Sequence, residues 1–343
     1  MSGPQLDIVG LFPSFESSFF GGVQASGQEA WQGIVSRIGE ERVDALCYEA
    51  GTSKAKAVLR AIGNRRKADV VLVWHLRLLK LLPFLDHSTS RVMLFLHGIE
   101  AWLKQDPLTR FFLNKVDVIL SNSDHTWARF LSCNPVFQGI PHRTVHLGAG
   151  SSLGVATPPP SNPPAVLMVG RLDTREDYKG HRQMIEAWPR VLERMPDAQL
   201  WIVGSGDLRP SLEDLARQRA PSLSVRFLGQ VSDPGKEQLI AQCRCLAMPS
   251  RGEGFGLAYL EAMRMGRPCL VSDIDAGREV VNPPEAGLAV DPDDPGEIAD
   301  AVHRMLSSGS EWQQWSERAR SRYETHFTGE HFHQRLVTAL FEP

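Results

Sequence analysis

Residues 249–263 read Pro-Ser-Arg-Gly-Glu-Gly-Phe-Gly-Leu-Ala-Tyr-Leu-Glu-Ala-Met, and this stretch has the residue types to hold an anion. Gly252, Gly254 and Gly256 free the backbone for positive φ or for close approach to a ligand, and a helix starting near Gly256 turns unpaired N–H groups toward negative charge. Glu253 sits in the loop and Glu261 about one and a half turns into the helix, so the two carboxylates can reach different parts of one extended ligand. The alternative is a glycine-rich turn with two solvated glutamates. A second cluster lies at Gly170-Arg171 and Lys179-Gly180. A guanidinium fork and an ammonium point charge suit a diphosphate, whereas the competing reading pairs both cations with Asp173, Glu176 and Asp177 on the surface. Gly204-Ser-Gly206 is half of a dinucleotide-binding fingerprint. Earlier in the chain, Gly21-Gly22 could offer backbone donors to a phosphate. His97-Gly98 follows a strand pattern, at the strand end where functional groups of α/β folds collect.

Something must carry these loops. Short β-branched runs alternate with stretches of helical period, the pattern of parallel strands joined by crossover helices. Strands are expected at 7–12, 43–48, 70–74, 92–96, 118–121 and 144–147, then at 166–169, 199–203, 225–228, 245–248 and 269–271. Helices are expected at 180–195, 294–306, 312–327 and 331–341, the first because Met184, Ile185, Trp188, Val191 and Leu192 fall on one face. Between the two series, residues 153–165 include Pro158, Pro159, Pro160, Pro163 and Pro164, which cannot donate to a ladder or a helix, and so read as a linker. The fold class is α/β: two Rossmann-like, doubly wound parallel-sheet domains facing an interdomain cleft. Their bounds are 1–152 and 166–325, with residues 326–343 a C-terminal helix that could cross back to the first domain.

A length of 343 residues suits two domains, and 42% hydrophobic with 22% charged residues excludes a disordered or fibrous chain. Net charge is −3 overall, divided as +3 over residues 1–150 and −6 over the rest, which argues against a general nucleic-acid binder. The cysteines (Cys47, Cys133, Cys243, Cys245, Cys269) are odd in number and lack CxxC spacing, as expected of reduced thiols. The first twenty residues lack a basic start followed by an apolar run, so no secretory signal is expected. The greasiest stretch, 70–85, is broken by His75, Arg77, Lys80 and Pro83. A cytoplasmic chain is expected, at most peripheral at the inner face of a membrane.

The motifs together resemble the GT-B retaining glycosyltransferases of the large bacterial family 4, which build polysaccharides and glycolipids. The resemblance rests on the E-x7-E pair Glu253 and Glu261, Gly170-Arg171 with Lys179-Gly180, Gly204-Ser-Gly206, Phe227-Leu-Gly229, His97-Gly98 and Gly21-Gly22, in the family's order across nearly the whole chain. It implies transfer of a hexose from a UDP- or GDP-sugar to a glycan or lipid-linked acceptor, forming an α-linkage with no metal cofactor. By the same resemblance Arg171 and Lys179 hold the pyrophosphate, Glu261 the ribose, and backbone around Gly229, Gln230 and Val231 the base. Glu253 with the amides of Phe255, Gly256 and Leu257 grips the sugar, His97 contacts it near the reacting centre, and Gly22 contacts the phosphate. The loop from Arg171 to Lys179 is longer than the family pattern, so Arg175 competes with Lys179 for its role.

Other features concern the acceptor and the metal. Asn122, Ser123 and Asp124 follow a strand end and are candidates for the acceptor side. Lys54, Lys56, Arg60, Arg65, Arg66 and Lys67 form a basic run suited to an anionic lipid surface, or simply a solvated helix face. Asp273-Ile-Asp275 and Asp291-Pro-Asp293 have the spacing of a metal-holding pair, but both fit turn chemistry. A nucleotide-sugar epimerase or hydrolase on the same scaffold, and a non-catalytic nucleotide-sugar sensor, are the competing readings.

Overall fold

Short apolar runs buried on both faces set the architecture, because a parallel strand covered by helices on each side has no polar face to alternate. Val70–Val73, Cys245–Met248 and Cys269–Ser272 are buried along their whole length. The computed structural model describes residues 6–15, 21–48, 54–63, 67–153, 160, 162–220, 223–307 and 309–342. The chain divides into two units, residues 1–150 with 327–343 and residues 151–326.

The first unit contains β1 (Ile8–Pro13), α1 (Gly22–Ile38), β2 (Val43–Tyr48), α2 (Lys54–Gly63) and β3 (Val70–Val73). It continues with β4 (Arg91–Leu96), α3 (Pro107–Leu113), β5 (Val118–Ser121), α4 (Asp124–Cys133) and β6 (His142–Thr144). All of its strand pairs are parallel, in the order β2-β1-β3-β4-β5-β6. Trp74, just past β3, is fully buried, its ring 4.3 Å from Phe95 and its indole N–H donating to the Val23 carbonyl of α1 at 3.1 Å.

The second unit contains β7 (Ala165–Val169), α5 (His181–Arg194), β8 (Gln199–Val203), α6 (Arg209–Arg219), β9 (Val225–Gly229) and α7 (Asp233–Gln242). Then follow β10 (Cys245–Met248), α8 (Leu257–Arg264), β11 (Cys269–Ser272), α9 (Gly277–Val281), β12 (Gly287–Val290), α10 (Pro295–Leu306) and α11 (Ser310–His326). The last helix, α12 (Gly329–Phe341), belongs to the first unit and packs on α1. Strand order in the second sheet is β12-β11-β10-β7-β8-β9, again all parallel. Counted from β7, this is the doubly wound order in which the strand order reverses between the first and fourth strands, so ligands are expected beyond the carboxyl ends of β7 and β10. Met184, Ile185, Trp188 and Val191 of α5 are buried, and α5 packs against α6 and α10.

The expected strand at 144–147 is placed earlier, at β6. Val145 and Leu147 are buried as their type demands, yet ladder pairing ends at Thr144, after which only the Val145 N–H reaches back to Ser121. β12 was not expected, because Gly287 opens it at φ +153 in a run too short and small to read as a strand. Of the linker, residues 154–159 and 161 lie outside the described residues, and Ala165 already belongs to β7.

Candidate functional site

In the second unit, the segments after β7 and β10 meet at the reversal point of the sheet. Arg171 follows the end of β7, and its guanidinium pairs with the carboxylate of Glu176. The other Glu176 oxygen lies 3.0 Å from Lys179 Nζ. Glu176 and Lys179 side chains are 12% and 18% exposed, whereas that of Arg171 is 56% exposed. One buried carboxylate thus holds two cations together and leaves the guanidinium fork open to solvent. The Lys179 stem crosses Gly170, where a Cβ would stand 3.3 Å from Lys179 Cδ. Arg175 is spent elsewhere, forked onto Asp173 at 2.9 and 2.7 Å, so Lys179 rather than Arg175 stands beside Arg171. Gly180 has φ +86, and a Cβ there would lie 2.5 Å from the Pro249 carbonyl oxygen. That close approach brings the cation segment against the glycine-rich loop, joined by the Arg251 N–H donating to Tyr178 O at 2.8 Å.

Within the glycine-rich loop, the Phe255 N–H points to Glu253 Oε1 at 3.5 Å, and Gly256 caps α8 at φ +93. Phe255 is buried, whereas Gly256 and Leu257 are half-buried. Glu261, on α8, is met by Lys236 of α7, whose Nζ lies 2.8 Å from Oε1 and 3.4 Å from Asp233. Burial draws the Lys236 ammonium down, but Glu261 and Asp233 outweigh it and hold the group above its ordinary value. Gly204 is required by contact, since its Cβ would lie 1.8 Å from Gly170 O, and its N–H donates to Gly229 O at 2.9 Å. Gly206 meets Leu172 O in the same way. These glycines let the loop after β8 close onto the Arg171 segment. Gln230 is exposed and Val231 half-buried just beyond.

The first-unit candidates separate into two kinds. His97 follows β4 and is 8% exposed, and its Nε2 lies 2.6 Å from the Trp74 carbonyl, so the ring hydrogen sits on Nε2. Its backbone N–H donates to Glu100 Oε1 at 2.7 Å. Burial, opposed by the Glu100 charge, brings its imidazole down to about 4, so the ring is neutral at physiological pH. Gly21 caps α1 with its N–H on Gln24 Oε1 at 3.2 Å, and Gly22 is the first residue of that helix. Asn122 and Ser123 do not stand as expected of acceptor contacts. They are 2% and 0% exposed; Asn122 Nδ2 donates to His97 O at 2.7 Å, and Ser123 Oγ accepts from the Thr126 N–H at 3.0 Å to cap α4. Buried and committed, they brace the His97 turn and the helix. Asp124 pairs with Thr144 Oγ1. Lys56 and Lys67 of the basic run are exposed, Arg65 and Arg66 lie outside the described residues, and Lys54 and Arg60 fall on α2.

The sequence offers Glu176 only as one of three acids that could pair the two cations on the surface, and it does not point to Lys236 as the partner of Glu261. The first stands three residues before Lys179 and had a signal, an acid inside a basic segment. The second is separated from Glu261 by a helix, a turn and a strand, so nothing local announces it. Both Asp-x-Asp pairs act in turns: Asp275 accepts the Gly277 N–H at 2.9 Å, and Asp291 accepts the Asp293 N–H at 2.8 Å. Among the described residues no cluster of three His, Cys, Asp or Glu is arranged to hold a metal ion, and no helix is long and apolar enough to cross a membrane.

With this geometry in place, the comparison with known proteins is specific. Residues 163–308 match the family model for glycosyl transferases group 1. The matched residues lie within the second unit. The chain is similar to phosphatidyl-myo-inositol mannosyltransferase of Mycobacterium leprae, 40% identical over 144 residues, covering 41% of this chain and 37% of that relative. The chain thus aligns with little over a third of that protein's length. A longer match, 29% identical over 278 residues and covering 74% of this chain and 70% of the relative, is to the GDP-mannose-dependent monoacylated alpha-(1-6)-phosphatidylinositol monomannoside mannosyltransferase of Corynebacterium glutamicum. Among solved structures, Anabaena HepE in complex with UDP-glucose superposes at TM-score 0.77 with 17% identity, covering 98% of this chain and 99% of that one. Sucrose-phosphate synthase of Thermosynechococcus elongatus gives 0.78 at 17% identity, covering 97% and 98%. The chain has the GT-B glycosyltransferase fold, two Rossmann-like units.

The buried imidazoles give a test of the site's packing. His181, at the start of α5 beside Lys179, is 1% exposed, and burial brings it down to about 4. A histidine depressed in the folded state lends stability that is fully present above its unfolded value of 6.5 and is lost as pH falls toward 4. Asp275 titrates in the opposite sense, so the informative quantity is a difference between proteins. On going from about pH 7.5 to 4.5, His181→Phe should gain about 2 to 3 kcal/mol on the wild type in urea unfolding. Parallel pH profiles of the two would contradict it.

Proposed function

We propose that the protein is a retaining glycosyltransferase of family 4 type that moves a hexose from a UDP- or GDP-sugar to a glycan or lipid-linked acceptor with an α-linkage. The observation that carries this reading is the Arg171–Glu176–Lys179 group beside the glycine-rich loop, at the reversal point of the sheet and within the residues that match the family model for glycosyl transferases group 1. Breaking the bond from the anomeric carbon to the diphosphate builds negative charge on the leaving oxygen while the sugar becomes oxocarbenium-like. Cations and helix amides already aimed at that position stabilise this state more than the substrate. Arg171 supplies a fork to the phosphate and Lys179 a point charge, with the α8 amino terminus adding oriented N–H groups.

Glu261 receives the ribose hydroxyls, with Lys236 holding its carboxylate in place at 2.8 Å; the base rests along Gly229, Gln230 and Val231. Glu253 and the amides of Phe255, Gly256 and Leu257 position the sugar. His97, a neutral ring, faces the transferred sugar, and Gly22 the phosphate. The acceptor attacks on the face the diphosphate leaves, and the leaving phosphate helps take its proton. The two named mannosyltransferases support a mannose donor and a phosphatidylinositol-type lipid acceptor as the first to try. The reading includes a cytoplasmic site of action with peripheral contact to anionic lipid through the basic run, and no metal cofactor, with the Arg171 and Lys179 cations and the α8 amino terminus set against the diphosphate charge.

Arg171→Ala should weaken binding of UDP or GDP by roughly 10- to 100-fold in calorimetric titration, the loss of charge-assisted hydrogen bonds. Glu253→Ala should leave that affinity within about twofold and lower the turnover of transfer instead. Equal and negligible effects of both changes would contradict the site. Transfer should also be insensitive to EDTA; abolition by EDTA and rescue by Mn²⁺ would overturn the metal-free mechanism.

A further inference from the structure

We propose that Asp275 is a positioning residue for transfer, its buried carboxylate pinning the 250–256 loop and so fixing where the Glu253 carboxylate and the Phe255, Gly256 and Leu257 amides stand. The proposal rests on reading that loop as the part of the donor site that holds the sugar. Asp275 follows β11 and is 4% exposed. Its Oδ2 accepts from Ser250 Oγ at 2.6 Å and from the Glu253 N–H at 3.3 Å, while Oδ1 accepts from the Gly277 N–H at 2.9 Å. Ser250 Oγ in turn accepts from the Gly252 N–H at 3.1 Å, and the Glu253 carbonyl accepts from the Ala276 N–H at 3.2 Å. The loop after β10 is therefore stitched to the loop after β11 through the Asp275 side chain and one backbone bond. Glycines at 252, 254 and 256 give the loop many conformations, and the stitch selects one.

Each bond to Asp275 uses its oxygens as acceptors, so the ionised form fits the loop. Adding a proton reverses or breaks the Ser250 bond and weakens the bonds from the Glu253 and Gly277 N–H groups, because a neutral carboxyl is a poorer acceptor than a carboxylate. Burial, with the Glu253 charge adding to it, pushes the Asp275 carboxyl up to about 7 against the pull of its hydrogen bonds. The titratable groups facing it are Glu253 from the β10 loop and Tyr259 from α8, whose phenol donates to Met248 O at 3.0 Å and is held neutral by burial. Asp273 and Arg278 flank it on its own segment, where Arg278 NH1 donates to Asp273 O at 3.0 Å. The brace is thus intact above neutrality and slackens as pH falls.

The test compares the full chain with Asp275→Asn and Ser250→Ala across about pH 5.5 to 8.5, measuring transfer kcat, affinity for GDP or UDP, and amide exchange over the 250–257 backbone corrected for intrinsic rate. Wild-type kcat should fall roughly tenfold as pH drops through about 7, the effect of replacing charge-assisted hydrogen bonds with neutral ones. Asp275→Asn should be low and flat with pH, with nucleoside diphosphate affinity within about twofold of wild type. Ser250→Ala removes a bond that favours the ionised form, and should move the acid limb to higher pH. Loop amides should exchange faster at acid pH in the wild type, and fast throughout in Asp275→Asn. A variant that keeps the wild-type pH profile and exchange pattern would overturn the proposal. If no nucleotide sugar supports transfer, the functional reading fails, while a pH-dependent exchange pattern abolished by Asp275→Asn would still establish the brace.

Discussion

Two cations held by one buried carboxylate at the end of a strand are the constraint around which the second unit is built. Arg171 and Lys179 alone would repel and fan out into solvent. Glu176, 12% exposed with an oxygen on each, keeps them adjacent at a net charge of one positive unit. Most of the ordering entropy is then spent on folding rather than on binding, which is how a preorganised site favours developing charge over a ground-state ligand. Salt screens such a group little where the anion is buried and more at the open Arg171 fork.

The sheet supplies the position and the glycines supply the proximity. Reversal of the strand order between β7 and β10 leaves a gap beyond their carboxyl ends, and the segments that follow these strands carry the cations and the glycine-rich loop. A side chain at Gly204 would collide with Gly170 O and one at Gly180 with Pro249 O, so these residues are small because backbones touch there. The half fingerprint at Gly204 and Gly206 is therefore explained by loop closure, whether or not its amides also meet a phosphate.

Much of this was legible in the sequence because burial on both faces writes itself as unbroken apolar runs. The two series of strands, the amphipathic α5 and the proline-rich break all follow from side-chain type. Pairing was less legible: the 144–147 run is buried but its ladder stops at Thr144, and β12 begins on a glycine that reads as a turn. At the site, Arg171, Lys179 and Glu253 stand out because their charges sit beside glycines, and Glu261 because of its fixed spacing from Glu253. Glu176 and Lys236 act through partners that only the fold selects. Asn122 and Ser123 looked available because polar residues after a strand usually face a ligand, yet here one ties down the His97 turn and the other caps a helix. In the sequence Asp275 reads as a metal-spacing residue or a turn acceptor, and the structure gives it a turn that reaches across to the neighbouring loop.

The most direct measurement is a crystal structure of the full chain with GDP or UDP bound. The account predicts the terminal phosphate within about 3 Å of both the Arg171 guanidinium and the Lys179 ammonium, and the ribose against Glu261. A nucleotide seated away from the carboxyl ends of β7 and β10, with neither cation touching phosphate, would contradict it.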